Sequence, residues 1–96
     1  MGISVIVRFH AKPGAEQALR DVLLAVVEPT RAEPGCVQIQ LYRAIKDPHV
    51  FFIHSTLLQE ADFDRHAEFP HTQLFLSRLP DLIDHPLDAT RVVPAG

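Results

Sequence analysis

The stretch from Ala15 to Cys36 limits most strongly what this chain can fold into. Its apolar residues recur at helical spacing, with polar residues on the opposite side, and they are Leu19, Val22, Leu23, Val26 and Val27. Pro34 and Gly35 should end the helix, because proline disfavours the helical conformation in the residue before it and glycine accepts a positive φ. Directly afterwards, Val37 to Arg43 alternates between apolar and polar residues, as a strand does. The pattern predicts a helix that turns back onto a sheet.

Three further stretches are predicted strands. Ile3 to Ala11 alternates, Val50 to Leu57 is strongly apolar, and Leu87 to Val93 carries a weaker strand pattern. The second and third strands are consecutive and are joined by a short loop. They should therefore form an antiparallel hairpin.

The remaining periodic segments predict helices. Gln59 to Phe69 predicts a short helix, and Pro70 can start another that ends near Leu79, while Pro29 should kink the long helix. The resulting order, β-α-β-β-α-(α)-β, is the split βαβ arrangement of ferredoxin-like domains. The predicted fold class is α+β, with a four-stranded antiparallel sheet that carries helices on one face.

Composition excludes several classes of protein. The net charge is −3, without a basic patch, which argues against nucleic-acid binding. Cys36 is the only cysteine, so no internal disulfide can form, as is typical of a reducing cytoplasm. No apolar run has the length of a membrane span. We expect a single domain over residues 1–96, cytoplasmic, with no nucleic-acid or membrane partner.

One face of the predicted sheet has no helix to cover it. On that face Ile6, Tyr42 and Phe52 are interspersed with polar residues. Pairing two sheets across this face would remove the aromatic side chains from water. The pattern predicts a homodimer.

Three segments resemble the antibiotic biosynthesis monooxygenase family of dimeric α+β barrel proteins. They are Lys12-Pro13-Gly14, Glu28 to Cys36 with its Glu-Pro-Gly-Cys turn, and His66 with the later Pro70-His71. The resemblance implies a ferredoxin-like protomer, a dimer built by packing sheet on sheet, and a pocket between the sheet and the helices. Characterised relatives include cofactor-free oxygenases acting on polycyclic aromatic or quinol compounds, and heme-degrading enzymes.

The resemblance leads to a functional hypothesis. The chain would be a cofactor-independent monooxygenase-like protein acting on a small aromatic, quinol or polyketide-type compound, without a metal or other cofactor. His66 and His71 are the candidate catalytic residues, since imidazole exchanges protons near neutral pH. The candidate substrate-binding residues are Val5, Val7, Ile39, Ile53, Ser55, Leu57 and Phe63. The alternative is a non-catalytic dimer on the same scaffold, with a small-molecule-binding or regulatory role.

The sequence departs from the family pattern at two informative places. Ser55 and Leu57 stand where members often have a Glu-x-Trp pair. Val7 and Leu57 stand where the heme-degrading branch has an asparagine and a tryptophan. We therefore expect that the chain does not degrade heme.

Other roles for the histidines stay open. His66 could be a buried structural residue bonded to a carbonyl or carboxylate, and His71 could merely close the start of its helix. A hydrolytic dyad of Ser55 with His66 lacks a nucleophile-elbow sequence. Asp62 and His66, one turn apart, could hold a metal with a third ligand from His71, His54 or His10, but one-turn spacing is common by chance.

Two smaller interpretations concern single residues away from the pocket. His10, His49 and His85 are expected to be solvated, because they fall in loops or at strand ends. Cys36 is expected to be a small, buried packing residue rather than a nucleophile.

Overall fold

The computed structural model describes residues 2–96. The elements, in chain order, are β1 (Ile3–His10), α1 (Glu16–Arg31), β2 (Cys36–Arg43), β3 (Val50–Leu57), α2 (Glu60–His66), α3 (Pro70–Arg78), a 3₁₀ turn (Leu79–Asp81) and β4 (Asp88–Val92). No helix among these is long and apolar enough to cross a membrane. The predicted β-α-β-β-α-α-β order is confirmed.

The four strands form one antiparallel sheet in the spatial order β2-β3-β1-β4. The predicted hairpin of β2 and β3 is present, and β1 lies between β3 and β4. In this register Ser55 lies opposite Val5 on one side and Ile39 on the other. The side chain of Ser55 is therefore central on the sheet, on the same face as its two apolar partners.

Helix α1 covers that face, as its apolar stripe predicts. Leu19, Leu23 and Val27 are almost completely buried in the core. Pro29 does not end the helix, which continues to Arg31. The buried hydroxyl of Thr30, directly after the proline, donates to the carbonyl of Val26 at 2.6 Å.

The predicted helix from 59 to 69 is shorter than expected. It ends at His66, and Phe69 is extended, with φ −70° and ψ 143°. The ring of Pro70 disfavours the helical conformation in the residue before it. The chain therefore bends over residues 67–69 and starts α3 in a new direction. That bend brings His71 back towards His66, with ring centroids 6.2 Å apart.

The turn between α1 and β2 depends on Gly35. Its φ is +89°, and a side chain there would overlap with the carboxyl group of Asp62. Asp62 is itself held by two partners, since it accepts from the backbone N–H of Gln59 at 3.0 Å and pairs with Arg65. The close approach of this turn to α2 thus requires a residue without a Cβ atom.

Replacing Gly35 with alanine should destabilise the fold more than the same change at Gly14. Both glycines have positive φ, but a Cβ on Gly14 would have no atom within 4 Å. Gly14→Ala should therefore lower the free energy of unfolding only by the cost of the backbone strain, about 1–3 kcal/mol. Gly35→Ala adds overlap with Asp62, which costs roughly a further 1–3 kcal/mol. Urea denaturation of both variants measures the difference, and equal losses of unfolding free energy would contradict the assignment.

Candidate functional site

A cavity of about 150 Å³ lies between the covered face of the sheet and the three helices. Its wall is mostly apolar and is formed by Val7, Phe9, Val26, Thr30, Glu33, Ile39, Ile53, Ser55, Leu57, Phe63, His66, Ala67, Thr72, Phe75, Leu76, Leu87 and Ala89. The sheet contributes apolar groups and the Ser55 hydroxyl. The carboxylate of Glu33 and the imidazole of His66 lie on the helical side.

Glu33 is the centre of a polar cluster at this wall. Its side chain is only 6% exposed. His66 Nδ1 lies 2.8 Å from Glu33 Oε2 and 3.1 Å from Oε1, and His71 Nε2 lies 2.5 Å from Oε2. The two imidazoles thus converge on one carboxylate oxygen.

The hydrogen bonds indicate which ring nitrogens carry protons. An ionised carboxylate can only accept, so His66 donates through Nδ1 and His71 through Nε2. The hydroxyl of Thr72 is 3.2 Å from His66 Nδ1 and is buried. No residue in the described range 2–96 hydrogen-bonds to His66 Nε2, whose lone pair is therefore free to accept a proton.

Local structure explains why these three residues meet. Glu33 follows the end of α1, His66 is the last residue of α2, and His71 is the second residue of α3. The bend before Pro70 turns α3 so that His71 faces the same carboxylate as His66. Each of these residues is therefore positioned by a helix end.

Phe63 is positioned by contacts from the edge strand. Arg91 of β4 donates to Glu60 at 2.7 Å and to Asp64 at 2.8 Å. Its guanidinium also lies 5.1 Å from the centre of the Phe63 ring, within cation–π range. These contacts join α2 to β4 beside the cavity.

The structure brings most of the predicted site residues together. Val7, Ile39, Ile53, Ser55, Leu57, Phe63 and His66 all line the cavity. Val5 does not, because it is completely buried in the core. His71 does not line the cavity, but it is hydrogen-bonded to Glu33, which does.

Sequence reasoning missed Glu33 as a site residue. The Glu-Pro-Gly-Cys segment predicts a turn and carries part of the family resemblance, but neither assigns a role to the carboxylate that stands directly before Pro34. The alternative pair of Asp62 with His66 does not form, since Asp62 bonds to Gln59 and Arg65 instead. Ser55 and His66 share no hydrogen bond within the described part of the chain.

A second histidine cluster lies at the far end of the sheet. Asp84 Oδ1 is 2.7 Å from Nδ1 of both His10 and His85. His49 stacks on His10 at 6.2 Å and lies 3.4 Å from Glu16. His85 is largely exposed, as expected, whereas the side chains of His10 and His49 are 32% and 35% exposed and therefore only partly solvated.

The fold and the cavity define the class: a small ferredoxin-like α+β protein with a histidine at the wall of an apolar pocket. The sequence profile described as "Antibiotic biosynthesis monooxygenase" matches residues 2–78. The chain therefore belongs to this family, and the resemblance drawn from its motifs is confirmed.

Individual relatives agree with the family assignment. "Putative monooxygenase Rv0793" of Mycobacterium tuberculosis is 32% identical over 92 residues, covering 96% of this chain and 90% of that protein. "Putative monooxygenase YcnE" of Bacillus subtilis is 28% identical over 80 residues, covering 83% and 84% respectively.

Solved structures show the same architecture. The structure of Rv0793 superposes with a TM-score of 0.92 at 29% identity, covering 100% of this chain and 97% of that one. PA3566 of Pseudomonas aeruginosa also gives 0.92, at 27% identity and 99% and 95% coverage.

Cys36 gives an independent probe of the charge on Glu33. The thiol is half-buried, and its pKa is raised by burial first and by the negative charge of Glu33 second. A raised pKa means less reactive thiolate at a given pH below it. The alkylation rate of Cys36 therefore depends on whether Glu33 is charged.

We expect Glu33→Gln to lower the pKa of Cys36 and to speed its alkylation by iodoacetamide. The pH of half-maximal rate should lie above the ordinary thiol value of about 8.5 in the unsubstituted protein and should move down in the variant. Glu68→Gln, which removes an exposed carboxylate, is the matched control and should leave the profile in place. An unchanged profile in Glu33→Gln would mean that Glu33 carries no charge next to Cys36.

Proposed function

We propose that this protein is a cofactor-independent monooxygenase of small phenols or quinols, with His66 as the general base. The observation that carries the proposal is the Glu33–His66 hydrogen bond at the wall of an apolar cavity. A carboxylate that accepts from Nδ1 holds the imidazole in the tautomer whose Nε2 can take a proton, and it stabilises the imidazolium that results. Glu33 is the positioning residue in this pair.

The cavity volume favours one aromatic ring. An apolar cavity of about 150 Å³ is known to hold benzene, and the cavity here is about 150 Å³. A polycyclic ring system would need a larger cavity than this one. We therefore narrow the substrate class from aromatic and polyketide-type compounds to single-ring phenols and quinols.

The reaction balances without an added reductant. His66 Nε2 takes the hydroxyl proton, and the electron-rich phenolate transfers electrons from its ring carbon to O₂. One oxygen atom forms a bond to the ring, the ring C–H bond breaks, and the second oxygen leaves as water: a phenol and O₂ give a quinone and H₂O. The substrate supplies all the electrons, so the residues need only bind, deprotonate and exclude water.

The competing hypothesis of a non-catalytic dimer makes a different structural demand. A space between sheet and helices that is filled by Leu57 and Phe69 would favour it. Leu57 instead lines an open cavity together with His66, and Phe69 is not part of the wall. This arrangement supports the enzyme hypothesis over the binding hypothesis.

The proposal is tested by aerobic incubation with single-ring phenols and hydroquinones, with anthrones and heme as larger comparison compounds. Oxygen uptake and transfer of ¹⁸O from ¹⁸O₂ to the product should occur with single-ring compounds. Binding without oxygen uptake across the panel would favour the non-catalytic dimer.

Substituting His66 should remove most of the activity. General-base assistance contributes about 10²–10⁴-fold, so His66→Ala should reduce kcat/KM at least a hundredfold. Glu33→Gln should reduce kcat less and should alter the pH–rate profile, since its amide no longer stabilises the imidazolium. His49→Ala and His85→Ala, away from the cavity, are the controls. A folded His66→Ala protein with full turnover would show that His66 is structural.

We further propose that the protein is a homodimer formed through the uncovered face of the sheet. Ile6 and Tyr42 are 40% and 50% exposed on this face. Phe52 lies between Tyr42 and Arg8 in the register of the sheet. Exposed aromatic and aliphatic groups on a face without helices are typical of an interface, and the family resemblance implies a dimer of this type.

Phe52→Asp should dissociate the dimer, because it would bury a charge in the apolar centre of the interface. Analytical ultracentrifugation at micromolar concentration should show a dimer for the unsubstituted protein and a monomer for the variant. Leu74→Asp places the same charge on α3, on the covered side of the sheet, at a residue that is 53% exposed, and should remain dimeric. A monomeric unsubstituted protein would contradict the proposal.

A further inference from the structure

We propose that Glu33, His66 and His71 form a binding site for one divalent transition-metal ion of the Zn²⁺ type. We further propose that the bound ion holds His66 in the tautomer that cannot act as a base. The site goes beyond the oxidation proposed above and does not depend on it.

The ligand set fits such an ion. The candidate ligand atoms, one from each of Glu33, His66 and His71, all lie within 4.8 Å of one another. Imidazole nitrogen with carboxylate oxygen is a donor set that suits Zn²⁺ and related first-row ions. Three protein ligands also leave a fourth position open for water or for a ligand in the cavity.

The charge balance also favours a cation. Glu33 is nearly buried, and within residues 2–96 no lysine or arginine lies at ion-pair distance from it. Its partners are two imidazoles, which carry charge only when protonated. A buried carboxylate is expensive unless it is paired or coordinates a metal. A divalent ion in place of the shared protons would supply the missing positive charge.

The cluster needs only a small adjustment to hold an ion. Ligands at about 2.0–2.1 Å in a tetrahedral site are roughly 3.3 Å apart. The present nitrogen-to-Oε2 distances are 2.8 Å for His66 and 2.5 Å for His71. The first distance must therefore open by roughly 0.5 Å and the second by roughly 0.8 Å. The three ligands lie on separate segments at helix ends, so these distances can change without a break in any helix.

Metal binding would change the chemistry of His66. In the metal-free cluster Nδ1 carries the proton and Nε2 is the free base. An ion on Nδ1 displaces that proton, and a neutral imidazole must then carry its proton on Nε2. His66 would become an N–H donor and would lose its capacity to accept a proton.

The second histidine cluster could compete for the same metal ion, and it therefore serves as the control. His10, Asp84 and His85 offer the same donor types, also within 4.8 Å. Their side chains are 32%, 33% and 63% exposed, however, whereas those of Glu33, His66 and His71 are 6%, 21% and 23% exposed. Exposed side chains lose more conformational freedom when an ion fixes them, and water already solvates their carboxylate. The cluster around Glu33 should bind more tightly.

The test is titration of the full chain with Zn²⁺ by calorimetry, and with Co²⁺ by visible absorption. Asp84→Asn, which disables the exposed cluster, should still bind one ion with the affinity of the unsubstituted protein. Asp84→Asn/Glu33→Gln and Asp84→Asn/His71→Gln should bind at least about 100-fold more weakly, since even loss of a residue behind a ligand costs 10–100-fold. Two variants are used because one of them may disturb folding.

The tautomer supplies a readout that does not involve activity. One equivalent of Zn²⁺ should move the His66 ring proton from Nδ1 to Nε2 in long-range ¹⁵N–¹H NMR spectra. The site is overturned if Asp84→Asn abolishes binding, if both double variants, Asp84→Asn/Glu33→Gln and Asp84→Asn/His71→Gln, retain it, or if the His66 tautomer does not respond. Zn²⁺ binding without any oxidation of phenols would leave this site intact and would refute only the proposed enzyme.

Discussion

The hydrogen bonds to the Glu33 carboxylate join parts of the chain that are otherwise separate. Through them the end of α1 contacts both the end of α2 and the start of α3. A hydrogen bond to a charged group contributes about 1.5–3 kcal/mol, and a buried carboxylate without partners would cost more than that. The position of α2 and α3 over the sheet therefore depends on the same contacts that orient His66.

The turn at Gly35 also helps to position Glu33 and α2, through contacts with the residues that follow β3. The carbonyl of Gly35 accepts from the N–H of Leu58 at 2.9 Å, which fixes the residue directly after β3. The carboxyl of Asp62 packs against the bare Cα of Gly35 and accepts from the N–H of Gln59. One turn thus positions Glu33 and also the start of α2. A change that moves this turn would move the candidate base and the wall of the cavity together.

Periodicity predicted the parts of this protein that are organised by local sequence. The bounds of β3 and the buried stripe of α1 follow from the spacing of apolar residues alone, and so does the inward direction of Ser55. The Glu33 cluster could not be found this way, because its partners are 33 and 38 positions away in the chain. The short length of α2 was also missed, since Pro70 restricts Phe69 while the apolar pattern continues across both residues.

Ser55 and Leu57, at the positions where family members often have a Glu-x-Trp pair, affect how a substrate would lie. Ser55 is 7% exposed, and its hydroxyl neither carries charge nor takes a proton at neutral pH. The sheet therefore offers no base, and the acid–base groups of the cavity, Glu33 and His66, both lie on the helical side. In the proposed reaction the phenol oxygen must point towards α2 while the ring rests on Val7, Ile39 and Ile53 of the sheet. Proton removal then takes place at one wall, and the ring carbon that meets O₂ is kept in apolar surroundings.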